Sequence, residues 1–134
     1  MGSRGASSGV AKNKKKYGTE YTTLHQLGNI KFVRYNDNTS AKAPLETMTK
    51  GRIYVTIGSQ DEVKYITFYD KNGRKNKQID IKGKKHQING VWTRTHTHLG
   101  YDEKHTDKNT RFVSKGELKL IAKVLKEWYN HTNQ

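Results

Sequence analysis

The chain has 134 residues, enough for one domain, but only 31% of them are hydrophobic, so its core is modest. Its 26 lysines and arginines against 12 acids leave a net charge of +14, which favours polyanionic partners, nucleic acid ahead of an anionic membrane. With no cysteine, disulfides and thiolate metal sites are excluded, and no apolar run approaches the ~18–20 residues that a membrane-crossing helix needs.

Residues 1–16 are small and polar, then basic, with Lys12, Lys14, Lys15 and Lys16 at the end. Such a segment buries too little apolar surface to offset its ordering entropy, so a flexible basic linker is expected there. The remainder, 17–134, is expected to be a single α+β domain. No signal-peptide h-region follows Met1, and a soluble protein is the expected form.

Tyr17, Tyr21, Leu24 and Leu27 have roughly helical spacing, and Gly28 suits a helix end. Ile30 to Tyr35 reads as a short strand closed by the Asn36-Asp37-Asn38 turn. Pro44 sits in a loop ahead of a short turn at Leu45 to Met48. Arg52 to Ile57 alternates, with Ile53, Val55 and Ile57 on one side. Gly58 to Asp61 has turn chemistry, and Val63 to Tyr69 is β-branched and aromatic. Asn72-Gly73 signals a hairpin, and Arg74 to Ile81 returns from it. Together these predict a three-stranded antiparallel meander.

Asn89-Gly90 turns the chain into Val91–Tyr101, V-W-T-R-T-H-T-H-L-G-Y. As one strand, this stretch places Trp92, Arg94, His96 and His98 on a single face. The segment from Tyr101 to Thr110 is a polar loop. Ser114 and Glu117 then form an S-x-x-E capping box, with Val113 and Leu118 spaced as a hydrophobic staple. The helix that follows carries the stripe Leu118, Ile121, Ala122, Leu125, Trp128 and Tyr129. The expected architecture is a twisted antiparallel sheet of four to five strands with this C-terminal helix packed across it.

Imidazole exchanges protons near neutrality. His96 and His98 as acid and base, with Arg94, Lys50 or Arg52 as phosphate partners, satisfy the needs of a metal-independent ribonuclease. Tyr101 and His105 are second choices. At a two-residue spacing, same-face histidines also occur as plain surface residues. A metal reading draws on His96, His98 and His105 with Asp102 or Glu103. Strong positive charge and the absence of the usual zinc spacings oppose it, so neither metal nor cofactor is expected.

The basic signal is concentrated. Between Lys71 and Arg94 lie Lys71, Arg74, Lys75, Lys77, Lys82, Lys84, Lys85 and Arg94, against Asp80 alone. Tyr65, Tyr69, Trp92 and Tyr101 are interleaved or nearby. Cations that track phosphates beside aromatics that stack on bases suit single-stranded nucleic acid. The alternative is a solvated hairpin. No helix-turn-helix, zinc finger, RNP motif, phosphate loop or carboxylate cluster for two metals is visible.

Three runs also carry a resemblance: S-A-K-A-P-L-E-T-M-T-K-G-R-I-Y-V-T (Ser40–Thr56), Y-D-K-N-G-R-K-N-K-Q-I-D (Tyr69–Asp80) and H-T-H-L-G-Y (His96–Tyr101). Together they resemble the C-terminal extension of minor head (head-morphogenesis) proteins from phages of Gram-positive bacteria. That resemblance implies a place in the virion and, after delivery, the host cytoplasm. It implies a toxin-like module, with other capsid proteins or an immunity protein as partners besides RNA or DNA. The order of meander and helix is also similar to the small ribonucleases grouped as barnase–EndoU–colicin–RelE, a likeness at the level of fold alone. The expected function is thus an RNase-like toxin module of a phage head protein. The alternative is a non-catalytic DNA-binding module that accompanies or protects the packaged genome.

Overall fold

Alternating β-branched and aromatic residues build most of this protein. A computed structural model describes residues 6–7, 20–36, 41–81, 86–88, 91–100 and 110–133. Among them the strands are β1 (Ala6–Ser7), β2 (Tyr21–Leu27), β3 (Ile30–Tyr35), β4 (Glu46–Thr47), β5 (Ile53–Ile57) and β6 (Val63–Tyr69). They continue with β7 (Lys75–Asp80), β8 (His86–Ile88), β9 (Val91–Thr93), β10 (His96–Leu99) and β11 (Thr110–Arg111), before helix α1 (Lys115–Thr132). No helix among these residues is long and apolar enough to cross a membrane.

Seven strands form one mixed sheet in the order β11-β10-β7-β6-β5-β3-β2. The α+β class and the C-terminal helix are as expected, and so is the β5–β6–β7 meander. The sheet exceeds the expected four to five strands, and it is not wholly antiparallel. β3 and β5 run parallel, with Phe32 opposite Val55. A parallel neighbour requires a crossover, here residues 36–52, which carry β4.

The helix expected to end at Gly28 is instead β2. A register shift between Thr23 and His25 leaves Leu24 as an extra residue. Tyr21 therefore faces one side of the sheet, while Leu24 and Leu27 pack on the other. This bulge is what gives the apolar residues a helical spacing. Gly28, at φ 59°, turns the hairpin into β3.

The two faces bury different cores. One lies under α1, where Phe32, Val55, Ile66 and Ile79 meet Ile121, Val124 and Trp128. Trp128 stacks on Phe32 at 5.5 Å between ring centroids. The other face gathers Ala6, Tyr21, Val33 and Tyr54, with Tyr35 and Tyr69 packed against them. The Tyr21 hydroxyl donates to the Lys42 carbonyl at 2.7 Å, and the Tyr69 hydroxyl donates to the Pro44 carbonyl, fastening the crossover over this face. β1 pairs with β4 there, so Ala6 and Ser7 of the expected linker belong to a strand. The rest of 1–16 lies outside the described residues.

The capping box forms as predicted: the Glu117 backbone N–H donates to Ser114 Oγ, and the Ser114 N–H donates to Glu117 Oε1. The apolar stripe does not fall where the spacing placed it. Ile121 and Trp128 are buried with Val124 and Glu117, whereas Leu118, Leu125 and Tyr129 are 52%, 40% and 66% exposed. Glu117 sets this rotation, because its carboxylate is tied to Arg111 and to Lys77 on the sheet. Leu118 therefore faces outward, and the expected staple with Val113 is not buried as a pair.

The Val91–Tyr101 stretch is also divided. β9 pairs with β8 in a separate ribbon, and β10 pairs with β7 in the main sheet, with Arg94 and Thr95 between them. Trp92 and Arg94 thus do not share a strand with His96 and His98.

Candidate functional site

Pairing between β10 and β7 assembles a polar cluster. His96 stands directly opposite Asp80, and His98 opposite Gln78. By the alternation of each strand, Thr97 and Lys77 point toward α1, and His96, His98, Gln78 and Asp80 point to the other face. The two imidazoles share a side, as predicted, with ring centroids 4.5 Å apart.

Three atoms converge. Nε2 of His96 and Nε2 of His98 are 2.8 Å apart, and Asp80 Oδ2 lies 3.0 Å from His98 Nε2 and 3.5 Å from His96 Nε2. Outer partners hold each group. His96 Nδ1 donates to the Arg94 carbonyl at 2.8 Å, Gln78 Nε2 donates to Asp80 Oδ1 at 2.9 Å, and His98 Nδ1 meets Thr110 Oγ1 at 3.4 Å. Lys75 Nζ reaches Gln78 Oε1 at 3.5 Å. Burial alone would raise the Asp80 carboxyl. Hydrogen bonds from His98 and Gln78, with the pull of both imidazoles, outweigh it and hold its pKa below the usual carboxylate value.

His96 and His98 are only 0% and 2% exposed. In this conformation neither ring offers an atom to a polymer backbone, which a general acid or base on RNA must do. A carboxylate, two imidazoles and a buried amide can instead share a proton or hold a cation.

On the helix side of the same strands, Glu117 accepts from Arg111 at 2.6 and 2.8 Å, from Lys77 at 3.0 Å and from Thr97 Oγ1 at 3.0 Å. Burial pulls its pKa up, but hydrogen bonds from Arg111, the Ser114 backbone, Lys77 and Thr97 lower it to about 2.

The predicted nucleic-acid residues separate into groups. Lys50 and Lys71 line one cavity of about 350 Å³ with Met48, Thr49 and Asn72. Arg74 and Arg94 are exposed, and Arg52 is half-buried. Lys75 is buried to 2% and faces inward, so the expectation that it contacts phosphate is corrected. Lys77 is engaged by Glu117 and lies 4.2 Å from the centre of the Phe68 ring. Lys82, Lys84, Lys85, Tyr101 and His105 lie outside the described residues, as do Asp102 and Glu103. So does the side chain of Trp92, although its backbone belongs to β9.

Sequence reading missed Asp80, Gln78, Thr110 and Glu117 as partners. Asp80 is the one acid in the cationic run from Lys71 to Arg94, and it has the parity opposite to Ile79 and Ile81. Its isolation among cations is a signal for a charged partner, whereas its parity reads as a solvated face and hides its burial. A second cavity, about 590 Å³, is lined by Val63, Ile81, Leu125, Trp128 and Tyr129 among others, and holds none of the predicted site residues.

No protein-family model matches this chain, and no curated protein or solved structure does either.

Proposed function

We propose that this protein is a nucleic-acid-binding module that grips the phosphate backbone without cleaving it. The observation that carries this reading is the excess of cations, +14 in total, of which Lys50, Lys71, Arg74 and Arg94 are exposed. Lys50 and Lys71 share one cavity, a natural seat for a phosphate group. The lysines on the outer side of α1, Lys115, Lys119, Lys123 and Lys126, add to the same field.

Burial of His96 and His98 supports binding over the ribonuclease reading, which requires those rings at the surface. The resemblance of Ser40–Thr56, Tyr69–Asp80 and His96–Tyr101 to phage minor head proteins implies the polyanion in that setting: packaged DNA, with the module accompanying or protecting it. Other capsid proteins are the companions this setting implies.

The test is binding of labelled single- and double-stranded DNA and of RNA, in EDTA, across a salt series. Removing one cation that neutralises a phosphate lowers the slope of log K against log salt by roughly one unit. Lys50→Glu with Lys71→Glu should weaken binding about tenfold or more on every sequence and flatten that slope. Absence of binding at low salt removes the proposal. RNA cleavage that disappears in His96→Ala and His98→Ala restores the enzyme.

A further inference from the structure

We propose that Asp80, His96 and His98 hold a divalent transition-metal ion of the zinc type, bound through Asp80 Oδ2 and the two Nε2 atoms. The ion would clamp β7 to β10. This proposal is independent of nucleic-acid binding, which rests on other residues.

Ligands of a tetrahedral ion at ~2.0–2.1 Å stand roughly 3.3 Å from one another. The triangle here has sides of 2.8, 3.0 and 3.5 Å. A point equidistant from its corners at bond length lies slightly out of their plane, where an ion with three protein ligands sits. One position of a tetrahedral ion is left to a further donor.

The Arg94 carbonyl can only accept, so His96 Nδ1 carries hydrogen. Two N–H groups cannot face each other at 2.8 Å, so at most one of the two Nε2 atoms is protonated. Without an ion, a single proton must serve three converging acceptors. A dication satisfies all three lone pairs at once.

The outer contacts point the same way. Metal-bound imidazoles commonly donate their other N–H to a backbone carbonyl or similar acceptor, which orients the ring. His96 does so to Arg94, and His98 has Thr110 at its Nδ1. Gln78 fixes the second oxygen of Asp80. Two ligands sit on directly paired positions of neighbouring strands, so the cluster is preformed rather than gathered from loops.

Net positive charge works against a dication, but the local balance differs from the total. Asp80 brings a negative charge into the triangle, and Lys75 Nζ lies 3.5 Å from the Gln78 amide oxygen. Two imidazoles and a carboxylate are a donor set that zinc takes, and burial shields the site from bulk solvent.

The experiment uses the full chain, made without a histidine tag and freed of metal by chelation. Metal content is measured in the protein as purified, and Zn²⁺ is titrated while Tm is followed. Co²⁺ serves as a spectroscopic probe of coordination. The proposal predicts one equivalent of metal per chain and a Tm rise on the order of 10 °C at a hundredfold excess over Kd. It also predicts the intense visible bands of tetrahedral Co²⁺.

Asp80→Asn, which keeps the size of the side chain, and His98→Ala should each lose the equivalent and the shift. His131→Ala removes the surface imidazole stacked on His25, and should change neither. A folded wild-type chain with no stoichiometric metal and no shift overturns the proposal. So does a shift that survives Asp80→Asn and vanishes in His131→Ala. If a variant fails to fold, as judged by circular dichroism, the Co²⁺ spectrum of the wild type decides: an octahedral spectrum rejects the site.

Discussion

Glu117 shows at the residue scale how a buried charge is made favourable. It is 5% exposed and draws on two cations, a hydroxyl and a backbone N–H. A carboxyl whose folded pKa lies below its unfolded value contributes stability that is complete above the unfolded pKa, near 4.5, and is lost as pH falls toward about 2. The shift corresponds to about 3 kcal/mol. Glu117→Gln should therefore cost on the order of 2–3 kcal/mol at pH 7, measured by urea denaturation, and should remove much of the stability loss between pH 4.5 and 2. Asp80 is lowered as well, so it adds to the same acid-side loss.

Single residues are legible in the sequence where their partners are near in the chain. The pairing of Ser114 with Glu117 spans one helical turn and is visible. The pairing of Asp80 with His96 depends on which strand lies beside which, and alternation does not carry that information. Alternation does place His96 and His98 on one side. It does not reveal their burial, because polar residues on an alternating strand read as a solvated face unless the partner strand is known.

At the scale of elements, local chemistry decides most of the outcome. Asp70 accepts from the backbone N–H groups of Asn72 and Arg74 at 2.8 and 3.0 Å, and Gly73 adopts φ 77°. A Cβ at Gly73 would approach the Thr47 carbonyl oxygen to 2.2 Å, so this turn also needs glycine for its packing on β4. Gly73→Ala should destabilise by about 1–3 kcal/mol, read by thermal unfolding. Ser114→Ala leaves an N-terminal donor of α1 without its acceptor and should cost about 1 kcal/mol by the same measurement. The elements that sequence misjudges are those in which regular spacing is interrupted. Leu24 at a bulge imitates a helix, and the break at Arg94–Thr95 divides one apparent strand into β9 and β10. For α1 the spacing locates the helix, but an ion-paired glutamate sets its rotation.

The whole molecule is a sheet with unlike faces. Under α1 it is mainly apolar, and on the reverse it passes from the tyrosines of β2, β3 and β5 to the carboxylate and imidazoles of β7 and β10. A chain with only 31% hydrophobic residues can cover both faces because the crossover segment and β1 complete the second layer. The seam between β3 and β5 has a consequence for how the chain reaches this state. Immediately on either side of it the pairings are between neighbours in sequence, β2 with β3 on one side and β5 with β6 and β6 with β7 on the other, and each piece can zip locally. The two pieces join only when the intervening segment closes into a loop and Phe32 comes to rest beside Val55. Val55→Ala should consequently slow refolding in stopped-flow experiments, whereas a mutation that loosens the far edge, such as Thr110→Ala, should act mainly by speeding unfolding.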